Sequence, residues 1–151
     1  YPVFANKLIE NELAGNKLGC LSGYKSFQRE VKCGESRFDF QLNFLVDSMF
    51  LEVKSVSLVE NGEGKFPDAP TERGVKHLKG LIELREKGFR TAVIFVSQRS
   101  DARSITTNDK IDPLFGEWLR KAKRASVELY GYNCRVTKNT VSIKKEIPIN
   151  I

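Results

Sequence analysis

The chain has 151 residues, 40% hydrophobic and 29% charged, the size and composition of one globular domain able to bury a genuine core. Three scattered cysteines, Cys20, Cys33 and Cys134, suit neither a disulfide framework nor a paired-cysteine zinc site, and the lone His77 rules out a site of several histidines, so any bound metal has oxygen ligands. The net charge of +6 is uneven: residues 1–70 hold 8 Lys/Arg against 10 Asp/Glu and residues 71–151 hold 17 against 9, which makes the second half either a polyanion-facing surface or a solvated basic one.

No apolar run approaches the length of a membrane span, and the opening YPVFANKLIENELAG lacks the basic start, apolar middle and cleavage site of a secretory signal; a cytoplasmic protein without a membrane partner is expected. Residues 6–14 space Leu8, Ile9 and Leu13 helically and stop at Gly15. A strand leads to Gly34, and SRFDFQLNFLV alternates Phe38, Phe40 and Leu42 on one face against Arg37, Asp39 and Gln41 on the other. MFLEVKSVSLV is a third strand. Residues 60–70 read as a loop, with Asp68 or Thr71 as the cap of a helix over 71–87 that Gly88 ends. FRTAVIFVSQ is a strand buried on both faces, the polar stretch after it is a loop, PLFGEWLRKAKRA is a third helix with Phe115, Trp118, Leu119 and Ala122 inward, and further strands close the chain. The order is helix, three strands, helix, strand, helix, strands, which predicts an α/β fold with a central mixed sheet flanked by helices.

The second and third strands carry charges that a structural hairpin does not require. If they pair around a turn at Leu45–Val46, opposed positions sum to 91 and Asp39 faces Glu52. Directly opposed side chains lie about 4.5–5.5 Å apart at Cβ, where like charges are destabilising. If the pair only repels, Glu52→Gln leaves metal-free stability level or higher. A divalent cation with oxygen ligands would compensate the repulsion; Mg²⁺ or Mn²⁺ is the candidate, held by Asp39 and Glu52 with the Val53 carbonyl added. Lys54 leaves the same strand face as Glu52, where an ammonium can position a water or stabilise phosphorane-like charge. The same spacing also arises on an exposed strand face that carries Asp, Glu and Lys as a solvated ladder.

This element order, with E-x-K on the third strand, resembles the PD-(D/E)XK nuclease core, the restriction-endonuclease-like fold. The blocks SRFDF, LEVKSVSL, FPDAPTERGVKHLKGL and KKEIPI are similar to those of the sugar fermentation stimulation protein A family, over about Asn6 to Ile147. That resemblance implies a metal-dependent deoxyribonuclease with Asp39, Glu52 and Lys54 in the active-site positions and largely sequence-independent DNA binding. Family members usually carry an N-terminal OB-like domain, so residues 1–151 are expected to be one nuclease-like domain without it, as a fragment or a short member.

Related nucleases often recruit a further acidic ligand, for which Glu10, Glu30 and above all Glu35 are candidates, although surface carboxylates are common. Arg73 and His77 point the same way one turn apart on the second helix and are expected at the scissile phosphate; Asp68 is a substrate contact or a cap. Arg99, Arg103, Lys121 and Arg124 are backbone-contact candidates within a basic run that also reads as a solvated face. RNA stays open as a substrate, and cutting both strands of a duplex favours a homodimer. The alternative function is a non-catalytic DNA-binding regulator of sugar metabolism that retains the nuclease fold.

Overall fold

A computed structural model describes residues 2–151. Its elements are α1 (Pro2–Ala14), β1 (Ser26–Cys33), β2 (Ser36–Asn43), β3 (Ser48–Val56), β4 (Leu58–Glu60), β5 (Glu63–Phe66), α2 (Glu72–Glu86), β6 (Arg90–Ser97), β7 (Ser104–Thr107), α3 (Pro113–Arg124), β8 (Glu128–Val136) and β9 (Val141–Ile147). The main sheet has the order β1-β2-β3-β6-β8-β9, with β3, β6 and β8 parallel and antiparallel strands on both flanks. This is the expected mixed α/β architecture. No helix among the described residues is long and apolar enough to cross a membrane.

Two apolar layers lie on the two faces of the sheet. Successive side chains of a strand point to opposite sides, and in β3 Met49, Leu51 and Val53 join Leu8, Ile9 and Leu13 of α1, whereas Phe50 and Val56 join Val75, Leu78 and Leu81 of α2 and Phe115 and Leu119 of α3. In β6 the same alternation sends Ala92, Ile94 and Val96 to α1 and Val93 and Phe95 to the other helices. A strand covered on both faces needs a continuous apolar run, which TAVIFV supplies.

Helix starts are joined by side chains. Thr71, not Asp68, caps α2, its Oγ1 accepting from the Gly74 N–H at 2.9 Å. Asp112 caps α3 through the Phe115 N–H at 3.0 Å, and its other oxygen accepts from the Thr71 N–H at 2.8 Å. One carboxylate therefore ties the two helix starts together and fixes where α2 lies over β3.

Two expectations fail locally. The predicted loops contain β5 and β7, which with β4, at the end of the predicted third strand, form a second sheet, β4-β5-β7, whose β4–β5 hairpin turns at Asn61-Gly62 with φ of 52° and 80°. Both central residues with positive φ make the two-residue turn that Asn-Gly favours, so the dipeptide was the available signal. The second failure is Phe38, which leaves the face of Phe40 and Leu42 and packs in the α2 and α3 layer. In β1, likewise, Phe27 packs toward α1 but Val31 and Cys33 toward α2. The change of face falls at Glu30, with φ of 52°, and at Asp39 across from it, so the outer half of the β1–β2 hairpin is wrung over onto α2. Gly80 permits the approach: a Cβ there would stand 3.0 Å from Phe38 Cζ and 3.3 Å from Ser36 Oγ.

Candidate active site

The wring opens the sheet between β2 and β3. Their register matches the sum of 91 from Asn43↔Ser48 to Phe40↔Leu51 and then ends, one step short of Asp39 and Glu52. Backbone groups freed inside a fold still need partners. Here side chains provide them: the Asp39 N–H donates to Glu52 Oε1 at 3.3 Å, and the Val53 N–H donates to Asp39 Oδ2 at 2.7 Å. The two carboxylates thus replace the missing rungs and are held beside each other.

The remaining oxygens are also engaged. Asn6 of α1 donates through Nδ2 to Asp39 Oδ1 at 2.8 Å. On the α2 side, Glu52 Oε2 meets Lys54 Nζ at 3.1 Å and contacts His77 Nδ1, and Lys54 Nζ lies 3.1 Å from that same Nδ1. Glu52, His77 and Lys54 are nearly enclosed, with side-chain exposures of 3%, 7% and 13%. Asp39 is half-buried.

Electrostatics separate the two acids. Burial, then the neighbouring Glu52 charge and the hydrogen bond to it, push Asp39 up to about 7, against the opposing pull of the Val53 N–H and Asn6. Burial also acts to raise Glu52, but the His77 hydrogen bond and the Lys54 charge outweigh it and hold Glu52 at about 2. Near neutral pH the pair therefore shares a proton, carried on the Asp39 side. Two adjacent carboxylates of which only one ionises readily are suited to a divalent cation, whose charge lets both ionise. Among the described residues no group of three or more His, Cys, Asp or Glu is arranged to hold a metal. Asp39 and Glu52 are the side chains placed so that they could hold one together.

The structure sorts the other expected residues. Glu35 is exposed in the β1–β2 turn, four residues up the strand from Asp39, or about 13 Å of extended chain, and does not join the pair. Glu10 pairs with Lys7 and Arg29 on the surface, while exposed Glu30 sits at the β1 wring. His77 is buried against Glu52 instead of facing a substrate, because the helix seats that side of α2 on β3 and on Phe38, whose ring centroid is 6.2 Å away. Arg73 is exposed one turn before it, and Asp68 is exposed and accepts from Ser57 Oγ at 3.1 Å.

The basic candidates also divide. Arg99 makes two hydrogen bonds to Asp101, at 2.9 and 2.7 Å, and Arg103 packs over Gly62 and donates to the Asn61 carbonyl at 3.0 Å. Lys121 pairs with Glu117 at 3.2 Å, and Arg124 is exposed at the end of α3. Trp118, expected inward, is half-buried between cations. The residue that sequence reasoning missed is Asn6: an amide on a helix 33 positions from Asp39 carries no local signal of that contact.

Comparison with known proteins follows this geometry. Residues 3–140 match the family model for SfsA, described as the sugar fermentation stimulation protein RE domain. Sugar fermentation stimulation protein homologs from Desulforamulus reducens and from Clostridium perfringens strain 13 are 45% and 43% identical over 97% and 95% of the chain. The chain spans 61% and 63% of the length of those relatives. The structure of Pyrococcus furiosus SfsA in complex with Ca²⁺ superimposes with a TM-score of 0.83 at 29% identity, over 97% of this chain and 62% of that one. The mixed α/β sheet with flanking helices is thus the fold shared with that solved relative, and the chain belongs to the sugar fermentation stimulation protein family.

Proposed function

We propose that this domain is a metal-dependent nuclease that hydrolyses phosphodiester bonds of DNA with little regard to base sequence. The observation that carries the reading is the opened rung between β2 and β3, where Asp39 and Glu52 are fastened side by side with Lys54 on the outer oxygen of Glu52. Asp39 and Glu52, with the Val53 carbonyl, would hold Mg²⁺ or Mn²⁺, and the relative solved with Ca²⁺ supports a divalent ion in this family. When bound, the ion supplies Lewis-acid charge to a phosphate oxygen.

The protein's own groups do the rest. Asn6 and the Val53 N–H hold the Asp39 carboxylate in one orientation. His77 steadies Glu52 from the core side, which makes it a positioning residue. Lys54 places an ammonium next to the carboxylates, where it can orient an attacking water and meet charge that develops on the phosphate. Arg73, free at the edge of α2, is the cation available to the scissile phosphate.

The second reading is a DNA-binding regulator without catalysis, and the near closure of Glu52, His77 and Lys54 as a self-satisfied cluster favours it. Lys54→Ala separates the two. Cleavage of plasmid and single-stranded DNA with Mg²⁺ or Mn²⁺ should fall by about 10²–10⁴, the range for a positioned acid–base group, while DNA binding in Ca²⁺ persists. No metal-dependent cleavage by the parent above the variant's background would leave the regulator.

A further inference from the structure

Several cations of the basic half are already engaged: Arg99 pairs with Asp101, Arg120 with Asp109 and Lys121 with Glu117, and Arg103 donates to the Asn61 carbonyl in the β4–β5 turn. A cation with its own carboxylate gains little from a phosphate. The helix between this basic surface and the catalytic cluster is different. On α2, Arg73, Lys76 and Lys79 are exposed, and among the described residues none has a carboxylate within ion-pair distance.

Their spacing of three sets them on one ridge that crosses the helix obliquely. At 3.6 residues per turn each step moves the side chain round the axis by about 60°. Arg73 begins the ridge beside buried His77, and Lys79 ends it toward α3. There the Lys79 ammonium lies 4.8 Å from the Trp118 ring centroid, and Lys121 of α3 lies 4.4 Å from the same centroid while also pairing with Glu117. An indole already attracting two ammonium groups is not a platform for stacking a base. It is a spacer that holds two cations in place.

We propose that Arg73, Lys76 and Lys79 form a track for the phosphodiester backbone of DNA that leads to the Asp39–Glu52–Lys54 cluster. It rests on the nuclease reading. Neighbouring side chains on such a ridge stand about 5–6 Å apart at Cβ on flexible stems, a row of charges suited to a chain of phosphates. Contacts made to phosphates fix position and carry no sequence information, so binding by the track is expected to be indifferent to sequence.

The test uses binding in Ca²⁺, apart from turnover, to a labelled duplex and to its separated single strand. Losing two phosphate contacts should cut the slope of log affinity against log salt by about 1.8 for duplex, from about 0.9 per phosphate. Lys76→Gln/Lys79→Gln is therefore expected to bind more weakly with that shallower slope, and the arm with the larger loss identifies the form of DNA the track takes. Lys144→Gln/Lys145→Gln, the same charge change on exposed β9 positions, should leave the slope near the parent's. Trp118 is the only tryptophan, so its emission should change when DNA binds and revert with salt. Failure of the parent to bind, an unchanged slope in the α2 variant, an equal loss in the β9 control, or unmoved Trp118 emission each overturns the track. If the parent cuts DNA while the α2 variant binds normally, the track falls and the nuclease stands. If the α2 variant loses binding but the parent never cuts, the nuclease falls and the ridge stands as a DNA-binding surface alone.

Discussion

β3 is bordered by two ladders that differ in length. On its β6 side eight consecutive residues are in parallel register, from Met49↔Arg90 to Val56↔Ser97. On its β2 side the antiparallel ladder has four pairs and stops at Phe40↔Leu51. The same strand is therefore a core element along one edge and an opened seam along the other. On the regular edge backbone satisfies backbone and the side chains are free to pack; on the open edge acidic side chains satisfy the backbone and are oriented by it. Where the sheet gives up pairing, it acquires a preorganised pair of carboxylates.

The largest effect should come from damaging the regular edge. Phe95→Ala, at a side chain 1% exposed and packed against Phe66, removes a fully buried ring and should cost about 3–5 kcal/mol in urea-induced unfolding. If its cost is under 1 kcal/mol, the β3–β6 edge is not the stable half of the comparison.

At the open edge, Glu52→Gln tests what the pair does without metal. Repulsion from Asp39 alone predicts level or higher stability for this variant. The structure reverses that expectation, because Glu52 also faces His77 and Lys54, and removing its charge leaves the Lys54 ammonium without its counter-charge in a nearly closed site. Thermal unfolding in chelator should show a loss of about 1–3 kcal/mol, the usual cost of stranding a buried polar partner, and a gain would restore the repulsive account.

A pH series separates the acids further. Asp39 is raised in the folded state, so its contribution to stability is complete below the ordinary carboxylate range and is lost as pH rises through about 7. Glu52 is lowered, so its contribution is present above that range and is lost only as pH falls through about 2. Between pH 4 and 7 the metal-free protein should therefore become less stable as pH rises, and Asp39→Asn should flatten the trend. Mn²⁺ affinity by calorimetry should move the opposite way, gaining no more than about tenfold per pH unit up to 7, since one proton leaves as the ion binds. A flat affinity between pH 5 and 7 would place the shared proton elsewhere.

The smallest effect tests the wring itself. Gly80→Ala gains up to about 1 kcal/mol of helix propensity, but its methyl would press on Phe38, which is 1% exposed and cannot swing away, and overpacking costs about 1–3 kcal/mol. A net loss of about 1 kcal/mol is expected in thermal unfolding. A gain would show that the outer hairpin does not bear on α2.

Much of the site was legible in residue order because it follows from period and register. The two-residue alternation of strands, a turn at Leu45–Val46 and the resulting sum of 91 are local rules, and they set Asp39 across from Glu52 and Lys54 on the face of Glu52. The helix over residues 71–87 was readable for the same reason, with apolar spacing between a Thr cap and a Gly stop. The β4–β5 hairpin was readable too, from Asn61-Gly62, but the surrounding loop composition masked it.

What the sequence by itself determined about this protein is its element order, the shared strand face of Glu52 and Lys54, and its membership of a family whose blocks span nearly the whole chain. Only the tertiary structure decided that Phe38 changes sides, that Asn6 reaches Asp39, that His77 turns inward to Glu52, and which arginines are already paired. The physical reason is range. Period and register act between residues a few positions apart, whereas a wrung hairpin settling on Gly80, or an amide meeting a carboxylate 33 residues away, depends on how whole elements pack, and no local pattern encodes that.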